Sequence, residues 1–205
     1  MSTLLKRLDK HFVTCAAAAA GVAAGAQAAI VWSGAVNINI PSNTFGVYLN
    51  VVNGSTSASG SLSGWDLNCW SSSSLNFFSS TTSGQTQATG MVGTGTVASN
   101  LAAGTLISGA STFTTNVGTQ TTTGLNLNSS NNIFGFKFYD ETAAAYRYGW
   151  VRISLGATAG GQPRSIVEYA YENTGAGIQA GAVPGPAGLA ALAMGAVGIR
   201  SRRRK

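Results

Sequence analysis

Between Ala29 and Ala182 the side chains able to do acid–base or nucleophilic chemistry are few, and their identities exclude most mechanisms. The only histidine, His11, lies before this stretch, so it offers no imidazole for a Ser-His-Asp triad, a proton relay or a zinc site. Five carboxylates remain: Asp66, Asp140, Glu141, Glu168 and Glu172. Paired acids cleave glycosidic bonds when held about 5 to 9 Å apart with one kept protonated. Glu168 and Glu172 share one face of a candidate strand, yet four residues of strand separate them by about 13 Å, too far for either geometry. Asp140 and Glu141 are adjacent, precede Thr142 and read as a turn. Calcium takes hard oxygen ligands of this kind, here or at Asp66 with Asn68, but no spaced ligand loop accompanies them. No catalytic residue, metal or cofactor is therefore assigned. Cys69, the one cysteine of the stretch, has no internal disulfide partner and reads as a buried small hydrophobe, with pairing between chains as the other reading.

Binding asks less of a sequence than catalysis. Exposed Trp and Tyr stack on the apolar faces of sugar rings while Asn and Asp hold hydroxyls. Trp65, Asp66, Asn68 and Trp70, with Tyr146, Tyr148 and Trp150, are the residues that could do this. A domain of this size also needs large apolar side chains for its core, and the same aromatic residues are candidates for burial.

The elements that must carry these side chains read as strands. The stretch is rich in Ser, Thr, Gly and Asn, holds all four Trp and all six Tyr, and shows no segment of helical period. In Asn132 to Asp140 the residues Phe134, Phe136 and Phe138 point one way, and Gly135, Lys137 and Tyr139 the other. In Tyr146 to Leu155, Val151, Ile153 and Leu155 lie opposite Tyr146, Tyr148, Trp150 and Arg152, which implies that both faces are partly covered. Further candidate strands are Ala35 to Ile40, Phe45 to Val52, Leu62 to Trp70, Ser74 to Phe78, Thr123 to Asn128 and Ser165 to Glu172. About eight strands separated by polar turns predict an all-β domain, an antiparallel β-sandwich of jelly-roll type. The Ser/Thr tracts at Ser71 to Ser74, Ser79 to Ser83 and Thr121 to Thr123 read as loops or solvent faces of edge strands.

The formal charge of +6 does not belong to this domain. From Ala29 to Ala182 four basic residues oppose five acidic ones, a net of minus one, so nucleic-acid binding loses its main support. The excess lies at the two ends. Residues 1–28 hold a basic region ending at Lys10, an apolar Phe12 to Ala24 run and Ala26-Gln27-Ala28, which read together as a signal peptide cleaved after Ala28. Residues 183–205 hold Val183-Pro184-Gly185-Pro186, an apolar run from Ala187 to Ile199, and a basic cluster of Arg200, Arg202, Arg203, Arg204 and Lys205. At about 1.5 Å per residue that run forms a helix of some 20 Å, a short membrane span. Positive flanks stay cytoplasmic, so both ends predict the same topology, with 29–182 exported as one domain.

The three-part ending resembles the PEP-CTERM sorting signal of exported bacterial proteins, with Gly185 where that family usually carries Glu. The resemblance implies transient membrane insertion of the tail and processing by an exosortase-like protease after passage through the export machinery. The stretch 29–182 in turn is similar, in FGVYLNVVNG, GWDLN, YGWVRIS and IVEYAYENTGAGIQAG, to a group of exported bacterial proteins of unassigned function that carry such tails. The expectation is a non-enzymatic protein of the cell surface or extracellular matrix, associated with exopolysaccharide. A carbohydrate-binding module is the alternative, and a glycoside-active enzyme a more distant one. The lack of histidine also predicts a folding stability that changes little from about pH 6 to 8, and a lone Cys69 one that is indifferent to reductant.

Overall fold

The computed structural model describes residues 29–80, 89–114, 119–120 and 124–185. The expected signal peptide, the apolar and basic parts of the tail from Pro186 onward, and Thr121 to Thr123 lie outside them. Among the described residues there are strands and no helix. In chain order the strands are β1 (Ile30–Trp32), β2 (Ile38–Asn39), β3 (Val47–Leu49), β4 (Thr56–Ser57), β5 (Leu67–Trp70), β6 (Asn76–Ser79), β7 (Gly90–Met91) and β8 (Gly93–Thr94). They continue with β9 (Val97–Ala98), β10 (Leu106–Ile107), β11 (Thr119–Gln120), β12 (Ser129–Asp140), β13 (Ala145–Leu155), β14 (Arg164–Glu172) and β15 (Ile178–Gln179).

Two larger sheets result, antiparallel except for one parallel pairing of β9 with β11. The first runs β1-β14-β13-β12-β7, with β2 also on β14; the second runs β4-β3-β5-β6-β11-β9-β8. The alternation of the Phe triad decides the first sheet. Phe134, Phe136 and Phe138 are all buried, and they share one cluster with Val151, Ile153 and Tyr169 from the same sheet and with Val47, Leu67, Cys69 and Phe77 from the second. Phe77 and Phe134 meet across the two sheets with ring centroids 4.7 Å apart. Each such side chain contributes about 1.5–3 kcal/mol by leaving water.

The other face of β13 is covered too, as its pattern implies. Trp150 packs with Ile107, Ile133, Ala170, Ile178 and Ala180, because the small β10-β15 sheet lies over it. Gly135 permits this layering, because a Cβ there would come 2.7 Å from the Val92 side chain and 2.9 Å from Ile107; on the inner face, a Cβ on Gly149 would come 2.5 Å from the Phe136 ring.

Three sequence expectations need correction. Gly124 to Asn128 forms no strand, because side-chain amides take the place of a ladder: Asn126 N–H donates to Asn132 Oδ1 at 2.7 Å, Asn126 Nδ2 to Asn131 O, and Asn132 Nδ2 back to Asn126 O. Only Ile38–Asn39 of Ala35 to Ile40 is strand, since Asn37 sits at a φ of 49° and the N–H groups of Val36 and Asn37 both reach Val167 O. Leu62 to Trp70 becomes strand only from Leu67, after a turn at Gly64.

Candidate functional site

The seven glycan candidates do not form one site, because strand alternation and the turn before β5 send them to three places. Asn68 and Trp70 alternate with the buried Leu67 and Cys69, and so lie on the outer side of the second sheet. There Tyr48, Asn68 and Phe78 are in register across β3, β5 and β6. Trp65 joins them, its ring 5.0 Å from Tyr48 edge-on and 5.3 Å from Phe78 in a tilted stack. Asn68 is buried within this group and donates its amide to Phe45 O at 2.8 Å. Phe45 is 53% exposed and is held by an ordered turn in which Asn43 Oδ1 accepts from the N–H groups of both Phe45 and Gly46. Gly46 has a φ of 59°, and a Cβ there would meet Cys69 O at 2.0 Å, so the turn lies directly on β5. Tyr48, Trp65 and Phe78 thus pack as an aromatic face on this side of the sheet, on which Trp70 also lies by alternation.

Asp66 leaves that face. It is 4% exposed and its Oδ2 accepts from Val51 N–H at 2.7 Å. Burial raises its carboxyl pKa to about 8 against the lowering effect of that hydrogen bond, with the negative charges of Glu141 and Asp140 adding to the rise. Asp66 and Asn68 therefore cannot act together on one calcium ion or one sugar. Among the described residues no three His, Cys, Asp or Glu side chains come together as a metal site.

Tyr146, Tyr148 and Trp150 share the outer side of the first sheet. Trp150 is 0% exposed and its indole N–H donates to Ala182 O at 3.0 Å, so it holds the domain together and is removed from the stacking candidates. Tyr148 stacks on Phe113 at 6.1 Å, and Lys137 lies over Phe113 and Tyr146 at 5.1 and 5.4 Å. Partial burial lowers the Lys137 pKa.

The acid pairs are committed to other work. Glu168 accepts from Arg152 Nε at 2.7 Å and from Trp32 Nε1 at 2.9 Å, while Glu172 is buried and accepts from Thr174 N–H and its hydroxyl. Asp140 Oδ1 receives the N–H groups of Thr142 and Ala143 and closes the β12–β13 turn, as the sequence implies.

Two features escaped the sequence reading. Arg164 is 2% exposed and donates to five backbone carbonyls, those of Ile40, Pro41, Ser71, Ser74 and Ala159, with no ion pair to a carboxylate among the described residues. A single arginine in an uncharged neighbourhood gives no local signal of such a role. The second is a cleft of about 400 Å³ lined from three segments distant in sequence, among them Trp32, Asn53 and Tyr169. Val183, Pro184 and Gly185, where the sequence suggests that a sorting signal begins, follow Ala182 without secondary structure, Val183 being exposed. In comparisons with protein-family models, with curated proteins and with solved structures, none matches the chain.

Proposed function

We propose that this chain is an exported, non-enzymatic protein of the cell surface or extracellular matrix that associates with neutral exopolysaccharide. The observation that carries the proposal is the aromatic face of the second sheet, with Trp65 set between Tyr48 and Phe78. Asp66 is the single charged residue from Ala29 to Phe136, and it is buried. A surface of rings, amides and hydroxyls without charge suits an uncharged polymer whose sugars present one apolar face and a rim of hydroxyls. The commitment of Glu168 to Arg152 and Trp32 speaks against a glycosidase acid pair.

The address rests on the two ends of the sequence. Residues 1–28 would direct export as a signal helix, and 183–205 would insert briefly as a short membrane helix and be cut by an exosortase-like protease at the PEP-CTERM-like motif. For the domain itself, a jelly-roll-like β-sandwich is the finer reading. One buried cluster shared by both large sheets supports the sandwich. In the first sheet β12, β13 and β14 join as consecutive neighbours, whereas in the second β3 lies between β4 and β5, so the chain crosses from one edge of β3 to the other.

The same aromatic face favours a carbohydrate-binding module as the second reading. Producing cells with and without their exopolysaccharide distinguish retention from free secretion. The protein should stay with the matrix of polymer-bearing cells and appear in the medium of polymer-deficient ones, and Trp65→Ala should release it in both. Equal retention in both strains would sink the proposal.

A further inference from the structure

Of the four basic residues between Ala29 and Ala182, three are committed to partners inside the domain. Arg147 is paired with Asp140, Arg152 with Glu168, and Arg164 gives its donors to five carbonyls. Among the described residues Lys137 alone of the four has neither a carboxylate nor a hydrogen-bond acceptor. Its neighbours are rings, with Nζ 5.1 Å from the Phe113 centroid and 5.4 Å from that of Tyr146.

The strands put it there for local reasons. Phe136 and Phe138 turn into the core, so alternation sends Lys137 to the outer side of the first sheet, where Tyr148 stands opposite it on β13 and Gly90 on β7. A Cβ on Gly90 would run into Thr114 O, so the glycine lets the segment that carries Phe113 settle against β7 and bring its ring over the lysine. Phe113 in turn stacks on Tyr148 at 6.1 Å, and Tyr146 packs edge-on against Tyr139 at 5.2 Å. The ammonium is therefore half-buried among rings, which replace only part of the water it would otherwise bind, and this burial lowers its pKa.

A partly desolvated cation flanked by rings selects a ligand with two properties. One is negative charge, because a charge-assisted hydrogen bond to Nζ restores the solvation that burial removed. The other is apolar C–H surface for the surrounding rings, which a bare carboxylate lacks. A neutral sugar has only the second, and a hexuronate unit has both. We propose that the outer side of the first sheet binds an acidic polysaccharide through a hexuronate unit, its carboxylate on Lys137 Nζ and its C–H surface against the rings of Phe113 and Tyr146. The Trp65 face lies on the outer side of the second sheet, and the two sheets share one buried cluster between them, so the two contacts point away from each other and cannot hold the same sugar. The inference thus goes beyond the neutral-polymer reading and does not depend on it.

The test is calorimetric titration of the protein purified from producing cells with trigalacturonate, its fully methyl-esterified form, cellotriose, and tricarballylate, which carries three carboxylates and no sugar ring. Trigalacturonate should bind, and more weakly as salt rises from about 0.05 to 0.5 M. The ester, cellotriose and tricarballylate should each bind about tenfold more weakly or not at all. Lys137→Met should lose the same factor, Lys137→Arg should keep most of the affinity because a cation remains over the rings, and Trp65→Ala should change nothing. Thermal melts of the variants separate a lost contact from a lost fold, and the salt and ester comparisons decide the matter on the wild-type protein alone. Absence of trigalacturonate binding, equal binding of the ester or of tricarballylate, indifference to salt, or full affinity in a folded Lys137→Met protein would each overturn the inference. Loss on Trp65→Ala would overturn it too, by placing the acidic chain on the other sheet. Retention by polymer-bearing cells is measured separately, so the neutral-polymer reading stands or falls by its own result.

Discussion

At the residue scale the most consequential side chain is Asp66. The absence of histidine suggests a stability that is flat from pH 6 to 8, and the structure corrects this. A buried carboxyl whose pKa rises from 3.8 unfolded to about 8 folded keeps its proton in the native state while the unfolded chain has lost it. The native state then binds the extra proton between those two values, so stability should fall as pH rises from about 4 to 8 and level off above. Glu141, Asp140, Tyr169 and Tyr171 are the titratable groups whose electrostatics involve Asp66. Asp66→Asn retains an oxygen for Val51 N–H and removes the titration, so urea melts of this variant should lose most of the slope and gain stability at pH 8. A wild-type profile that is flat over this window would refute the assignment. Cys69 gives a second expectation at the same scale. It is wholly buried, and desolvation pushes its thiol up to about 12. Iodoacetamide should label it only in denaturant, and reductant should not change the melting temperature, which excludes the interchain disulfide for the folded protein.

Elements are joined here by side chains as much as by ladders. Arg164 opens β14 and holds three connections at once, through Ile40 and Pro41 after β2, Ser71 and Ser74 between β5 and β6, and Ala159 between β13 and β14. Replacing it by Met leaves five carbonyls without this donor and should cost about 3–5 kcal/mol in chemical denaturation, with Arg164→Lys recovering part of the loss. An Arg164→Met protein as stable as wild type would show that water takes over the carbonyls at no cost. The Asn100, Asn126 and Asn132 network does similar work for the segment before β12, where Asn100 Oδ1 accepts from Ile133 N–H and Asn100 Nδ2 donates to Gly124 O.

For the whole molecule, both ends of the stretch from Ala29 to Ala182 are tied to its interior. Ala29 O accepts from Asn173 N–H at 3.2 Å, beside the pairing of β1 with β14, and Ala182 O accepts from the Trp150 indole. Cleavage after Ala28 and removal of the tail beyond Ala182 would spare both contacts. Mass spectrometry of exported material should therefore find an N-terminus at Ala29 and no peptide containing Arg200 to Lys205. Recovery of the intact tail in membranes would mean an anchor in place of a processed signal, and loss of the tail in cells without an exosortase would refute the family resemblance while leaving export intact.

The Phe134-Phe136-Phe138 alternation and the two-faced pattern from Tyr146 to Leu155 determined the central strands locally, because a period of two leaves one way to bury the rings. The near neutrality of 29–182 and the isolation of Cys69 were likewise legible residue by residue. The burial of Trp150, the separation of Asp66 from Asn68, the five-carbonyl role of Arg164 and the cleft beside Trp32 were not. Each depends on which distant segment arrives: β15 over Trp150, Val51 against Asp66, the turns around Arg164, and the Val51 to Thr56 segment near the edge of the first sheet. Burial and hydrogen-bond partners are properties of such meetings, and only the tertiary structure decides them.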